Sequence, residues 1–323
     1  MVRILSDAAV ASVLDIESLL PIVRNAFVKQ GRGEVERPER PHFPVGTGLA
    51  DGALGTGLVM PAYIHGATYY ATKLVGVHEG NAERGLPTIN AQIALTEAET
   101  GLPAAFLAGT RITNARTGCI GGLATKELAP TPVRLALIGA GTQAQWQARC
   151  IAAATNLESI RVYSPSESRY DTSDKLESEL DIPTNAVESA DDAVSGANVV
   201  VTATTATEPV FSGDALDAGT LVVAIGAYAA EMRELDRTTF ERAGHIFADV
   251  PDEVIEIGDL RATDLSEDDI VPLSAVFRDR VERESDSEIV VVESVGTAVL
   301  DAAASEHVLE RASEHGSGEE VGL

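Results

Sequence analysis

Two groups of residues in this 323-residue chain have the types and spacing to do chemistry. The first is Gly139-x-Gly141-x-x-Ala144, which follows an apolar run at 133–138 and opens onto a helix-like stretch at 143–154. The first glycine lets a strand reverse tightly, the second removes a side chain where backbone must approach a pyrophosphate, and the small third residue lets helix pack on strand. Thr142 and Gln143 then carry N–H groups at a helix N-terminus, where unpaired donors and the macrodipole favour phosphate. The second group is Lys73 and Arg116. Lys73 lies inside the apolar, strand-like segment 69–77 of a chain with four lysines in all. An ammonium buried there needs a neutralising partner. A substrate carboxylate would serve, and so would an internal acid such as Glu79 or Glu97. Arg116 has the planar fork suited to bidentate recognition of a carboxylate, and it reads equally as a structural helix arginine.

About twenty residues past such glycines, NAD-selective sites place an acid that binds the ribose 2′-hydroxyl. This chain has Ser164-Pro165-Ser166 there, with Arg169 close by. Without a carboxylate to repel it, a 2′-phosphate can take hydrogen bonds from two hydroxyls and a guanidinium, so the sequence favours NADP(H) over NAD(H). Thr202 and Thr204, after the fourth strand of this half, fall in the next loop along the cofactor's edge.

Several elements must position these groups. Residues 15–30 set Ile16, Leu19, Leu20, Val23 and Phe27 on one helical stripe. After a Pro- and Gly-rich stretch at 37–57, segments 57–62, 69–77, 89–96 and 104–108 read as short strands. Residues 113–128 read as a helix ending before Pro130 and Pro132. From residue 133 strands and helices alternate, with strands at 133–138, 160–163, 198–203, 221–225, 245–248 and 289–293; that is the pattern of a parallel, doubly wound sheet. The acidic stretch 167–192 reads as solvated helix and loop, 296–312 as a last helix and the polar tail 313–323 as frayed.

Fifty acidic against 24 basic residues give a formal charge of -26. An acid-rich, lysine-poor surface stays hydrated when salt screens charge repulsion, which points to a cytoplasm of high ionic strength and away from nucleic acid. The N-terminus lacks the basic start and apolar run of a signal peptide, and nowhere do 18 apolar residues run together, so a soluble cytoplasmic protein without a membrane partner is expected. Cys119 and Cys150 read as packing residues in buried helices, and His42, His65 and His78 as ordinary loop or strand histidines. No cluster has metal-ligand spacing, so no metal is expected.

The segments Y-A-T-K-L-V-G-V around Lys73, G-L-P-T ending at Thr88 and I-T-N-A-R-T-G around Arg116 combine with the glycine turn and with E-S-V-G-T-A-V-L-D from Glu293 to Asp301. Together they resemble the ornithine cyclodeaminase/mu-crystallin family over nearly the whole chain, including the order that puts the dinucleotide domain second. The resemblance implies an α/β fold of two parts. An α+β substrate-binding and dimerisation domain spans 1–130, with 297–323 returning to it, and a Rossmann-type dinucleotide-binding domain spans 131–296. It implies a homodimer, and a substrate carboxylate gripped beside the nicotinamide by Lys73, Arg116 and Arg40, with Arg37 three residues earlier in a similar setting. Thr88, Gly226 and Gly296 join the cofactor set by position.

Cyclodeaminases and archaeal alanine dehydrogenases of this family carry an aspartate after the glycine pair that ends the fifth strand, where this chain has Tyr228. That departure argues against ornithine cyclisation and toward the mu-crystallin branch, which reduces cyclic ketimines. Tyr228 would donate a hydrogen bond there or fill space against the ring, since a phenol is a poor base at neutral pH. The expected activity is therefore NAD(P)H-dependent reduction of the C=N of a small imino acid such as Δ1-pyrroline-2-carboxylate. Alanine dehydrogenase, ornithine cyclodeaminase and a non-catalytic cofactor-binding protein are the alternatives.

Overall fold

The structure, a computed structural model, describes residues 1–49 and 51–322, with Ala82 described by its backbone alone. Ala50, in the Pro- and Gly-rich stretch, and Leu323, the end of the tail, lie outside the described residues. In chain order the elements are β1 (Val2–Leu5), α1 (Asp7–Val13), α2 (Ile16–Gly31), β2 (Val35–Glu36), β3 (His42–Val45), β4 (Gly55–Ile64), β5 (Tyr69–Val77), β6 (Ile89–Glu97), β7 (Pro103–Ala108) and α3 (Gly109–Leu128). Then follow β8 (Val133–Ile138), α4 (Thr142–Ala154), β9 (Leu157–Tyr163), α5 (Ser168–Leu180), β10 (Thr184–Ala186), α6 (Ala190–Val194), β11 (Val199–Thr202), β12 (Leu221–Ala224), α7 (Arg237–Arg242) and β13 (Ala243–Ala248). The short α8 (Pro251–Val254) and α9 (Gly258–Arg261), β14 (Val271–Pro272), β15 (Ile289–Glu293), α10 (Ala298–Glu314) and β16 (Glu319–Val321) complete the chain.

The chain divides into two compact units, Met1–Arg116 with Thr297–Leu323, and Thr117–Gly296. The first is built on a sheet of order β16-β1-β7-β6-β5-β4-β2, with β3 on β4. Strand alternation decides its two faces. Met60, Lys73, Ile93 and Leu107 form one cross-strand row, all buried, on the face that α10 covers. On the other face Ile4, Tyr70, Leu74 and Phe106 are 38–46% exposed, an uncovered apolar patch.

The second unit carries an all-parallel sheet of order β10-β9-β8-β11-β12-β15-β13-β14. Its first five strands keep the doubly wound 3-2-1-4-5 order, and β15 takes the sixth place. β11, β12 and β15 are buried at every residue, which is why their sequences are apolar runs, closed by Thr202 in β11 and Glu293 in β15, rather than alternating ones. The order of neighbours reverses between β8 and β11, and crevices at such switch points are where open α/β sheets take ligands.

Three sequence expectations need correction. The first unit ends inside α3 and not at Pro130 and Pro132, because the second half of that helix packs on α4 through glycine. A Cβ on Gly118 would fall 2.7 Å from the Cys150 sulfur, and one on Gly122 2.6 Å from the Cys150 carbonyl oxygen. The acidic stretch 167–192 is not all helix and loop: Thr184–Ala186 pairs with β9 as the third strand of the doubly wound half. The tail is not frayed over its described length, since Glu319–Val321 closes the edge of β1, with Arg3 paired to Glu320 at 2.7 Å.

Candidate functional site

Lys73 stands on the core face of β5, 1% exposed, between Met60 and Ile93 in register. Neither Glu79 nor Glu97 neutralises it. The partner is Asp301, from the first turn of α10, whose Oδ2 accepts from Lys73 Nζ at 2.5 Å while its Oδ1 accepts from Arg116 Nε at 2.8 Å. The sequence reading had missed Asp301 as a site residue, although a lone acid in the apolar run Ala298 to Ala304 carries the same signal as a lysine in a strand. Burial pushes the Asp301 carboxyl up, but Arg116 and Lys73 outweigh it and hold the group below the usual carboxylate range. Burial, helped by the charges of Arg116 and Arg40, lowers Lys73 to about 8 against the pull of Asp301.

Two cations share one carboxylate here, so the triad keeps a positive charge in a place water does not reach. It also keeps unspent donors. Lys73 has three N–H bonds and, among the described residues, one protein acceptor, and Arg116 Nη1 is buried with no hydrogen-bond partner there. Such a site gains from an anion carrying two oxygens, and a carboxylate matches it in charge and in acceptor geometry. Arg40, half-buried in the loop before β3, belongs to this electrostatic neighbourhood, whereas Arg37 does not figure in the balance at Lys73.

In the second unit the glycine turn has the shape a pyrophosphate needs. Gly139 has φ +115°, where a Cβ would lie 2.5 Å from the Ala203 carbonyl oxygen, and Gly141 borders open space. The N-cap of α4 is Gly141, which makes no side-chain cap bond, and Ala144 is fully buried where helix meets strand. The observed turn therefore fits a dinucleotide. At the end of β9, the hydroxyls of Ser164, Ser166 and Ser168 form a chain with spacings of 3.2 and 2.6 Å. Arg169 donates to the carbonyls of Ser164 and Ser166, and its Nη2 is held by Tyr170 and Glu188, both at 3.1 Å. The guanidinium thus shapes this turn while engaged with an acid of its own chain.

Thr202 and Thr204 follow β11 as expected, but their hydroxyls point inward. Both donate to Glu234, and Thr202 is fully buried, so its place is behind the loop surface. Gly226 ends β12 and gives its N–H to the same carboxylate, while Gly296, at φ +76°, gives its own to Asp249. Tyr228, 37% exposed, stands two residues past Gly226. Thr88 begins the return into β6, and its carbonyl accepts from the His78 N–H at 2.8 Å. Among the described residues no group of His, Cys, Asp and Glu is placed to hold a metal, and no helix is long and apolar enough to cross a membrane.

The model of the ornithine cyclodeaminase/mu-crystallin family matches residues 2–316. The chain belongs to that family. It is 31% identical over 293 residues to a Δ1-pyrroline-2-carboxylate reductase of Bacillus cereus, covering 88% of this chain and 90% of the relative. In fold it resembles the Thermococcus litoralis Δ1-pyrroline-2-carboxylate reductase solved with NADH and L-proline, with a TM-score of 0.93 at 30% identity over 99% of this chain and all of the other. An archaeal alanine dehydrogenase, solved as a dimer with bound NAD, superposes with a TM-score of 0.87 at 26% identity over 100% of this chain and 99% of that one. The family membership and the mixed α/β fold with a parallel sheet agree with the sequence reading.

Proposed function

We propose that this chain is a nicotinamide-nucleotide-dependent oxidoreductase that reduces the C=N of a cyclic imino acid, Δ1-pyrroline-2-carboxylate or a close ketimine, to the saturated amino acid. The observation that carries the reading is the buried Lys73, Asp301 and Arg116 triad with its surplus charge and unspent donors. Relatives named for this reductase activity, one solved with NADH and L-proline, support the choice of substrate. When bound, the reduced nicotinamide supplies the hydride. Lys73 and Arg116 hold the substrate carboxylate, with Arg40 adding positive charge, which fixes the adjacent C=N carbon and makes transfer effectively intramolecular. The imine carbon gains a hydride and its nitrogen one proton, so the ring is kept and no ammonia is released. Tyr228 donates a hydrogen bond toward that nitrogen, where a cyclodeaminase would need a carboxylate. The Gly139 to Ala144 turn, with Thr142 and Gln143, holds the pyrophosphate, and Thr204, Thr88, Gly226 and Gly296 complete the cofactor set.

NADP(H) is favoured over NAD(H) because β9 ends in serines instead of an acid. Arg169 is held by Glu188, so this preference rests on the hydroxyls of Ser164 and Ser166. The direct test is loss of reduced-nucleotide absorbance with a panel of imino and keto acids, each with NADH and NADPH, in dilute buffer and in concentrated potassium chloride. Turnover of Δ1-pyrroline-2-carboxylate without added ammonia, faster in high salt as the charge of -26 leads us to expect for a salt-rich cytoplasm, supports the proposal. Turnover of pyruvate only when ammonia is present would show the alanine dehydrogenase reading instead, and release of ammonia from ornithine would show cyclodeamination.

The titration of Lys73 gives a pH signature. Its proton leaves at about 8 in the chain alone, so KM for the imino acid should climb between pH 7 and pH 9 as the ammonium is lost. In Lys73→Arg the climb should vanish, because a guanidinium stays charged; an equal climb in both proteins would assign it to another group. The exposed patch of Ile4, Phe106, Tyr70 and Leu74 supports a homodimer formed through the open sheet face. Phe106→Asp should then shift light-scattering mass from dimer to monomer, and an unchanged mass would move the interface elsewhere.

A further inference from the structure

The second unit holds a buried carboxylate that the reduction itself does not use. Glu234 is fully buried in the segment between β12 and α7 and accepts four hydrogen bonds. Its Oε1 takes the Thr204 N–H at 2.6 Å and the Thr204 hydroxyl at 2.7 Å, and its Oε2 takes the Thr202 hydroxyl at 2.9 Å and the Gly226 N–H at 2.8 Å. Around it Arg233 N–H donates to the Ala206 carbonyl and Val210 N–H to the Glu234 carbonyl, lacing the segment after β11 to the segment after β12. A Cβ on Gly226 would press on the Thr204 backbone and on this carboxylate, so the two loops are in close contact.

The place of this clamp gives it a role. In a doubly wound sheet the first three strands, here β8 to β10, form one mononucleotide half and β11 onward the other, with the pyrophosphate at the glycine turn between them. The Ala203 carbonyl oxygen, at the end of β11, is also what crowds Gly139. We infer that Glu234 is a positioning residue for the nicotinamide half of the dinucleotide, its carboxylate clamping the loop after β11 onto the loop after β12 and so shaping the surface that half rests on. The inference rests on the reading of the second unit as a nicotinamide-nucleotide domain.

The hydrogen-bond polarity makes the claim specific. Each oxygen of Glu234 faces one backbone N–H, and a backbone N–H cannot turn round to accept. A glutamine in either flip sets its NH2 against one of them, so the isosteric change breaks the clamp while keeping the volume. Protonation of Glu234 weakens it in the same sense. Burial raises this carboxyl to about 7 against the bonds from Thr204 and Gly226, with Asp259 adding to the rise. The other charged groups nearby are Glu293 and Asp249, both buried, and Arg233, which acts on Asp259.

The test compares binding of NADH with binding of ADP-ribose, which lacks the nicotinamide, by titration calorimetry between pH 6 and pH 8.5. Glu234→Gln should raise the Kd of NADH about tenfold or more. The Kd of ADP-ribose, which has no nicotinamide to rest on the clamped loops, should rise by a clearly smaller factor, although the glycine turn borders the loop after β11. In the wild-type chain the ratio of the two constants should grow as pH falls through 7, and in the variant it should be flat. Should Glu234→Gln fail to fold, Thr202→Val removes one donor and is expected to raise the NADH constant by a smaller factor and to move the pH midpoint upward. Equal losses for both ligands, or no change with either variant, would overturn the inference alone. Failure of the wild-type chain to bind NADH or NADPH at all would instead overturn the functional reading, and the inference with it.

Discussion

Lys73→Met should lower kcat/KM for Δ1-pyrroline-2-carboxylate by about thirtyfold to a few thousandfold while the Kd for reduced nucleotide stays within about twofold. Truncating one partner of a buried, hydrogen-bonded charge pair costs about 2–5 kcal/mol, and each 1.4 kcal/mol is about tenfold. Methionine keeps the length and apolar body of the side chain between Met60 and Ile93, so the loss reports the ammonium rather than a cavity. It also leaves Asp301 paired with Arg116, a neutral arrangement that folding tolerates. The site then lacks the surplus charge that favoured an anion. Steady-state kinetics beside nucleotide titration decide the matter, and near-normal turnover in this variant would remove Lys73 from the mechanism.

Asp301→Ala should be the most damaging single change to stability in the first unit, because it leaves Lys73 and Arg116 buried at 1% and 4% exposure with no counter-charge between them. Removing one partner from a buried ion pair costs about 3–5 kcal/mol, which corresponds to a fall in unfolding temperature on the order of 10 °C. The two stranded cations should then bind small carboxylates avidly. Acetate, which has little to offer the wild-type triad beyond its one open place, is expected to recover part of the lost unfolding temperature in the variant. A variant as stable as the parent, indifferent to acetate, would show that the triad does not hold the first unit together.

Local features of the sequence were enough for some of this architecture. A lysine within the apolar alternation of β5, and a glycine turn flanked by a strand and a helix, are signals read over a dozen residues, and both elements lie where those signals put them. Asp301 was out of reach of that kind of reading because it meets Lys73 across 228 positions, through a C-terminal helix that returns to the first sheet. The nearer acids were the natural guess. The register of β5 and β6 rules Glu97 out, setting it opposite Tyr69 while Ile93 lies opposite Lys73, and Glu79 lies beyond the end of β5. Glu234 was hidden for the same reason: nothing in A-E-M-R-E-L-D tells a buried acceptor from a solvated acid until Thr202, Thr204 and Gly226 close on it. The boundary inside α3 shows a different failure. Proline marks where a helix stops, whereas Gly118 and Gly122, packed against Cys150, decide which unit it belongs to.

The most direct measurement is a crystal structure of the chain with nucleotide and L-proline bound. Our account predicts the proline carboxylate within hydrogen-bond distance of Lys73 Nζ and Arg116 Nη1, with Asp301 still bridging the two cations. A proline carboxylate held elsewhere, with those two donors turned to the protein or to water, would contradict it.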